Sequence, residues 1–315
     1  MLGASALLPL RAAFPQSKIP RVGFLSARSR EAAVEITPFL DGMRALSYVE
    51  GKNIQYEWRF GDGRYERLDG LAAELVALKV DVIVASTTPA ARAAHKATAS
   101  IPIVTMSVND PVKLGLANSI ARPGGNVTGL VNLDSDMREK QFSLLLTTLP
   151  KLARLAVLFN PANPMTLTDE NVRAAAKGQP PQVIQLPART AEEIDQASAT
   201  MRKERVQAVV VLGDAFFLQR RSQLVILAAK NGLPAIYNRR EYVDAGGLMS
   251  YGRNTLDIYR RAASYVDTIL KGAKPAEMPF EQPTSIELVI NKNAAKALGF
   301  KFPGDILVRA DKVIE

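Results

Sequence analysis

The sequence predicts an α/β protein of two doubly wound parallel-sheet lobes joined by a three-crossing hinge. Three observations carry that expectation. Short, continuous apolar runs recur, such as Val82-Ile83-Val84-Ala85 and Ala208-Val209-Val210-Val211-Leu212; a strand covered by helices on both faces reads this way, because neither face meets water. Amphipathic helical stretches alternate with these runs, the order that parallel strands need for their crossovers. The order then starts again half-way along the chain: residues 21–25 match 154–158, residues 80–84 match 206–210, and residues 101–104 match 233–236. A repeat that long is a lobe, not a solenoid unit.

Residues 21–25 form the first strand, with Ser26 at its tip, and a helix over about 30–47 follows with Phe39, Leu40, Met43 and Leu46 on one face. A half-wet strand over 54–58, a break at Gly61-Asp62-Gly63 and a helix over 65–78 come next. The stretch 81–110 holds two buried strands, each ending in a polar turn: Ser86-Thr87-Thr88-Pro89, then Ser107-Val108-Asn109-Asp110-Pro111. Thr88 is a natural N-cap and Pro89 a natural first helical residue. In the second half a strand ends at Asn160-Pro161-Ala162-Asn163-Pro164, helices are expected over 168–177, 191–205 and 215–230, and Gly213-Asp214 closes an apolar strand. Changes of lobe are expected at the Pro-Gly-Gly turn 123–125, at 246–252 and at 279–283. They give a first lobe of 19–128 plus 252–282 and a second of 129–251 plus 283–315, after a signal-like or disordered stretch 1–18. Three parallel crossings bend without letting the lobes part.

Composition removes several chemistries. The chain has no cysteine, which excludes thiol catalysis, disulfides and Cys-ligated metal. Its single histidine, His95, has no acid or second histidine near it in sequence and reads as a surface helix residue. Neither Gly61-Asp62-Gly63 nor Gly124-Gly125 belongs to a phosphate-binding glycine pattern. No nucleophile–base pair or paired-carboxylate motif stands out, so no enzyme, metal or cofactor is expected. The net charge of +9 is spread over many helices and suits an anionic neighbour without identifying one. Residues 1–14 are apolar and small, well short of the ~20 that span a bilayer. They resemble the end of a secretory signal lacking its basic start, which predicts export to the periplasm.

Polar tips at the carboxyl edge of a parallel sheet are where open α/β folds place ligands. The candidates in the first lobe are Ser86, Thr87 and Thr88, then Ser107, Asn109 and Asp110, with Ser26 on the edge. In the second lobe they are Asn160, Asp214 and Tyr237, with Tyr251 in a crossing strand. The Ser-Thr tip at a helix N-terminus suits a carboxylate, and Asp214 could receive an ammonium. Simple capping by Thr88 or Asp214, and a turn role for Asp110, are the competing explanations. Arg28 closes the first lobe's edge with Ser26 and could meet an anion, but is expected to be solvated; Phe216 and Phe217 are expected to be core.

Gly42-Met43-Arg44-Ala45-Leu46, Val49-Glu50-Gly51-Lys52-Asn53-Ile54, Gly63-Arg64-Tyr65-Glu66-Arg67-Leu68, the segment 121–129, Pro234-Ala235-Ile236-Tyr237, Gly246-Gly247-Leu248-Met249-Ser250-Tyr251-Gly252 and Gln282-Pro283-Thr284 together carry a family likeness. The chain resembles ABC-transporter substrate-binding proteins of the tryptophan/tyrosine-type solute receptor family, with the type I periplasmic binding protein fold. The likeness runs over nearly all of the chain from about Ile19, although Arg253 stands where that pattern has proline. It implies an exported, monomeric receptor without cofactor. Its small-molecule ligand would be an amino acid, aromatic or branched, or a related carboxylate, held in an interlobe cleft and delivered to an ABC permease in the membrane. The alternative is a ligand-sensing regulator or signalling receptor domain of the same fold with no transport role. A DNA-binding regulator needs a helix-turn-helix ahead of the first lobe; the first strand begins near Arg21, so no nucleic-acid partner is expected. No cysteine follows the apolar segment, so lipid anchoring is not expected.

Overall fold

The computed structural model describes residues 18–132, 135–163, 181–283 and 285–315. The signal-like N-terminus and the helix expected over 168–177 lie outside the described residues.

The first lobe is built from β1 (Arg21–Ser26), α1 (Ile36–Ala45), β2 (Gln55–Phe60), α2 (Leu68–Ala77), β3 (Val82–Ala85), α3 (Thr88–Ala97), β4 (Ile103–Asn109) and β5 (Val127–Asn132). Its sheet is parallel throughout, in the order β2-β1-β3-β4-β5. The second lobe holds α4 (Ser135–Thr148), β6 (Arg154–Phe159), β7 (Gln182–Pro187), α5 (Ala191–Lys203), β8 (Ala208–Val211), α6 (Ala215–Gln219), α7 (Arg221–Lys230), β9 (Ala235–Tyr237), α8 (Arg240–Asp244) and β10 (Met249–Arg253). The chain then returns α9 (Thr255–Leu270) to the first lobe and ends in the second with β11 (Ile286–Asn291), α10 (Lys292–Ala297), α11 (Gly304–Arg309) and β12 (Lys312–Ile314). The second sheet runs β12-β11-β10-β9-β8-β6-β7; among the described residues β10/β11 is its one antiparallel pair. Its β7-β6-β8-β9-β10 portion repeats the order of the first sheet, as the sequence repeat implies.

Each apolar strand is buried because helices cover both of its faces. Val82, Ile83, Val84 and Ala85 of β3 are fully buried. On one face Phe24, Phe39, Met43, Tyr259 and Val266 bring α1 and α9 against the sheet. On the other, Leu25, Leu68, Leu75, Ala90 and Ala94 bring in α2 and α3. Each large aliphatic or phenyl side chain so buried contributes about 1.5–3 kcal/mol. Phe216 and Phe217 belong to the second lobe's core.

Local differences from the sequence expectation have physical reasons. The helix expected from about 30 begins at Ile36, because the preceding segment folds so as to bury Glu35 against Arg28. The helix expected over 215–230 is two helices that meet at Arg220, whose φ of −94° and ψ of 18° leave the helical region. His95, read as a surface helix residue, is half-buried on α3, with its Nδ1 3.3 Å from Asn126 Oδ1.

The crossings also fall differently. Residues 129–132 stay with the first sheet, since β5 pairs with β4 as far as Asn109↔Asn132. The first change of lobe therefore lies beyond Asn132. Gly129 makes this pairing possible: its φ is +121°, and a Cβ there would meet Thr105 O at 2.4 Å. β10 stays in the second sheet to Arg253, antiparallel to β11, so the second and third crossings are neighbours. Glu281 joins them to the first through Glu281 N to Gly129 O at 2.9 Å and Val131 N to Glu281 O at 3.0 Å. Arg253 Nε donates to Asn132 Oδ1 at 3.1 Å. All three crossings form one strip.

Candidate ligand cleft

Strand order reverses between β1 and β3 in one sheet and between β6 and β8 in the other, and a cavity of about 220 Å³ lies between the carboxyl ends at these two places. Switch points of this kind leave a crevice because neighbouring crossovers depart to opposite faces.

The first lobe's wall is built on a relay of buried polar groups. Thr87, extended at φ −139° and ψ 160°, is the N-cap of α3, its Oγ1 accepting from Ala90 N at 3.4 Å. Thr88 is therefore not the cap and Pro89 stands second in the helix. The Thr88 hydroxyl instead accepts from Asn109 N at 3.0 Å, tying the two polar tips together. Ser86 Oγ donates to Ser26 Oγ at 3.0 Å, and Ser26 Oγ donates to Glu35 Oε1 at 3.0 Å. Glu35, fully buried, accepts from Arg28 Nη1 at 2.5 Å. Arg28 is only 6% exposed and lines the cavity, so the expectation of a solvated arginine is corrected. Burial, the largest influence, opposes its charge, but Glu35, Tyr259 and Glu241 together outweigh it, so the pKa of Arg28 is raised.

On the second lobe Asp214 caps α6, with Oδ1 accepting from Phe217 N at 3.1 Å and from Asn160 Nδ2 at 3.2 Å. Its Oδ2 accepts from Asn163 Nδ2 at 2.9 Å and, across the cleft, from Tyr65 OH at 2.7 Å. Ala215 N donates back to Tyr65 OH at 3.3 Å. Burial, then the Asp214 charge, pushes the Tyr65 hydroxyl far above the usual phenol range. A second bridge joins the lobes where Arg239 Nη2 donates to Tyr259 OH at 2.8 Å. Arg239 also grips Glu241, at 2.7 Å for the shortest contact. Burial works against the charge of Glu241, but Arg239 outweighs it and holds the carboxyl at about 2. Among the described residues no group of histidines and carboxylates is placed to hold a metal ion.

The profile of the family described as ABC transporter substrate binding protein matches residues 19–314. This chain belongs to that family. The receptor is similar in structure to a conserved domain protein from Vibrio cholerae O1 biovar El Tor, at 29% identity and TM-score 0.85, over 94% of this chain and 100% of that one. It is also similar to the ABC domain in complex with L-Trp from Streptococcus pneumonia, at 25% identity and TM-score 0.83, over 94% and 99% of the two chains. In sequence it is 26% identical over 261 residues to a tyrosine-binding protein of Clostridioides difficile (strain R20291), covering 82% of this chain and 75% of the relative. The two parallel-sheet lobes are those of the type I periplasmic binding proteins. The family is one of extracytoplasmic substrate-binding receptors rather than enzymes, whose members bind small ligands and work with ABC permeases.

Of the residues singled out from the receptor's sequence, the fold brings Ser86, Thr87, Thr88, Ser107, Asn109, Asn160 and Asp214 around the cavity. Four others do not line it. Ser26 is fully buried behind Ser86 in the relay. Asp110, at φ +34°, accepts from Lys113 N at 3.0 Å and is a turn residue. Tyr237 is 1% exposed and stacks on Tyr242 at 4.5 Å inside the second core. Tyr251 packs into the opposite core of that lobe, its carbonyl accepting from Gln141 Nε2 at 2.7 Å. The tyrosines that reach the cavity are Tyr65 and Tyr259. Asn238, one residue beyond Tyr237, lines it as strand alternation requires. Asn163 and Tyr65 lay within stretches already noted, the turn 160–164 and the run 63–68, whereas Arg239 and Tyr259 carried no local signal.

Proposed function

We propose that this receptor takes up an amino acid or a closely related small carboxylate between its lobes in the periplasm, as a monomer, and presents it to an ABC permease. The observation that carries this reading is the N-terminus of α3, opening with Thr87, Thr88 and Ser86 onto a cavity whose other wall comes from the second lobe. Backbone N–H groups and the helix dipole at such an end favour an anion. Ser107, Asn109 and Asn160 complete the proposed polar lining. The relatives support the amino-acid reading, one being solved with L-Trp and another being a tyrosine-binding protein. A ligand touching both walls favours the closed population by the difference between its contacts in the two states.

The test is a thermal-shift and calorimetry screen over amino acids, aromatic acids and their hydroxy analogues. A true ligand at a hundredfold excess over its Kd stabilises the protein by about 2.7 kcal/mol, which a melting curve resolves easily. A panel in which no small molecule raises the Tm would refute the receptor reading.

A further inference from the structure

We propose that Arg28 is the anchor for the ligand's carboxylate, holding it from the β1 side while the N-terminus of α3 holds it from the β3 side. The proposal deepens the function just given and rests on it for the ligand's place in the cleft.

Arg28 follows the end of β1, at the switch point, and lines the cavity. A guanidinium carries five N–H donors in a planar fork. Among the described residues the Arg28 side chain makes one hydrogen bond, from Nη1 to Glu35, and its Nε has no partner. Buried donors are ordinarily satisfied, and an unsatisfied one costs free energy comparable to a lost hydrogen bond. Arg239, a partly buried arginine at the cleft, bonds both Glu241 and Tyr259. Arg28 is thus a charged group with spare donors at a polar cavity.

The neighbouring groups narrow what those donors can be for. The hydroxyl protons of Ser86 and Ser26 both point inward along the relay to Glu35, so neither proton is free for a ligand's carboxylate. In the first turn of α3, Pro89 has no N–H and the Ala90 N–H goes to Thr87 Oγ1, which leaves the Thr88 N–H. Arg28 and Thr88 N are then donors on the cavity lining at the switch point. Asp214 has all four of its acceptor positions taken by protein donors, which leaves no free lone pair for a ligand's ammonium. Glu35 balances the guanidinium charge and fixes its plane, which allows Arg28 to be buried before a ligand arrives. A carboxylate matches the fork; a neutral amide does not.

The experiment compares acids with their amides: L-tryptophan against L-tryptophanamide, L-tyrosine against L-tyrosinamide, and acetate against acetamide at high concentration as a pair without a side chain. Wild type is expected to prefer the acid by about 10- to 100-fold, the range of one charge-assisted hydrogen bond to a buried cation. In the double variant Arg28→Gln with Glu35→Gln, which removes both charges and keeps the buried site neutral, the preference collapses to within about threefold. Arg28→Lys keeps the charge without the fork and loses about tenfold, for acids only; it carries the test if the double variant does not fold. An acid preference that survives in the variants, or equal binding of acid and amide by wild type, overturns the role of Arg28 while leaving an amino-acid receptor standing. If only acetate over acetamide stabilises wild type, and the variants lose that, Arg28 stands and the amino-acid reading fails. No stabilisation by any acid overturns both.

Discussion

Tyr65 and Asp214 stand 149 residues apart in the chain and meet at 2.7 Å across the cleft. Their bond exists only when the lobes are together, so it contributes to closure whatever the ligand is. Tyr65→Phe is expected to weaken every ligand by the same factor, about 5- to 10-fold, the net value of one hydrogen bond. Calorimetry with two ligands of different side chain checks this, and unequal losses would make Tyr65 a ligand contact instead. Half of this pair was legible in the sequence. Asp214 after an apolar strand reads as an N-cap, and it is one, but the competing idea of an ammonium site fails to anticipate the partners that fill its carboxylate. Those partners come from two other loops and the other lobe. The choice between Thr87 and Thr88 was likewise beyond local pattern, since both carry a capping hydroxyl. The length of β3, ending at Ala85, decides it by setting which threonine is still extended.

Among the elements, β10 shows what periodicity can and cannot supply. Tyr251 looked like a wall of the cleft, yet its side chain packs on the α4 side of the sheet and Gly252 is the residue that lines the cavity. Gly252 is required there: a Cβ would fall 2.0 Å from Asn238 O, the carbonyl just past the end of β9. Gly252→Ala therefore pushes β10 away from β9 and widens the cleft. The expected cost is about 1–3 kcal/mol, as for other overpacked sites, with weaker ligand binding. Urea denaturation checks it, and a variant as stable as wild type would show that the strands are less closely set than this. Buried parallel strands were readable because helices cover both faces and erase the alternation that marks a half-wet strand. The first crossing was misplaced because the Pro-Gly-Gly turn is a local signal, whereas the pairing of β5 with β4 depends on register with a distant strand.

For the molecule as a whole, the Arg239–Glu241 pair and its bond to Tyr259 link closure to pH. The Glu241 carboxyl sits at about 2 when folded and near 4.3 in an unfolded chain. Its contribution is complete above the unfolded value and is lost as pH falls through the folded one, on the order of 3 kcal/mol in all. Wild type should therefore lose stability more steeply than Glu241→Gln between about pH 4.5 and 2, as denaturant curves at stepped pH will show; parallel curves would remove Glu241 from the acid response. The two-lobed plan was legible because the sequence repeats its own order, and each half had to make the same sheet. The strip of crossings has a consequence of its own. Arg253, Asn132 and Glu281 stitch the three passages together on one side of the cavity, so that side is a back wall. A solute therefore enters and leaves on a side other than that wall.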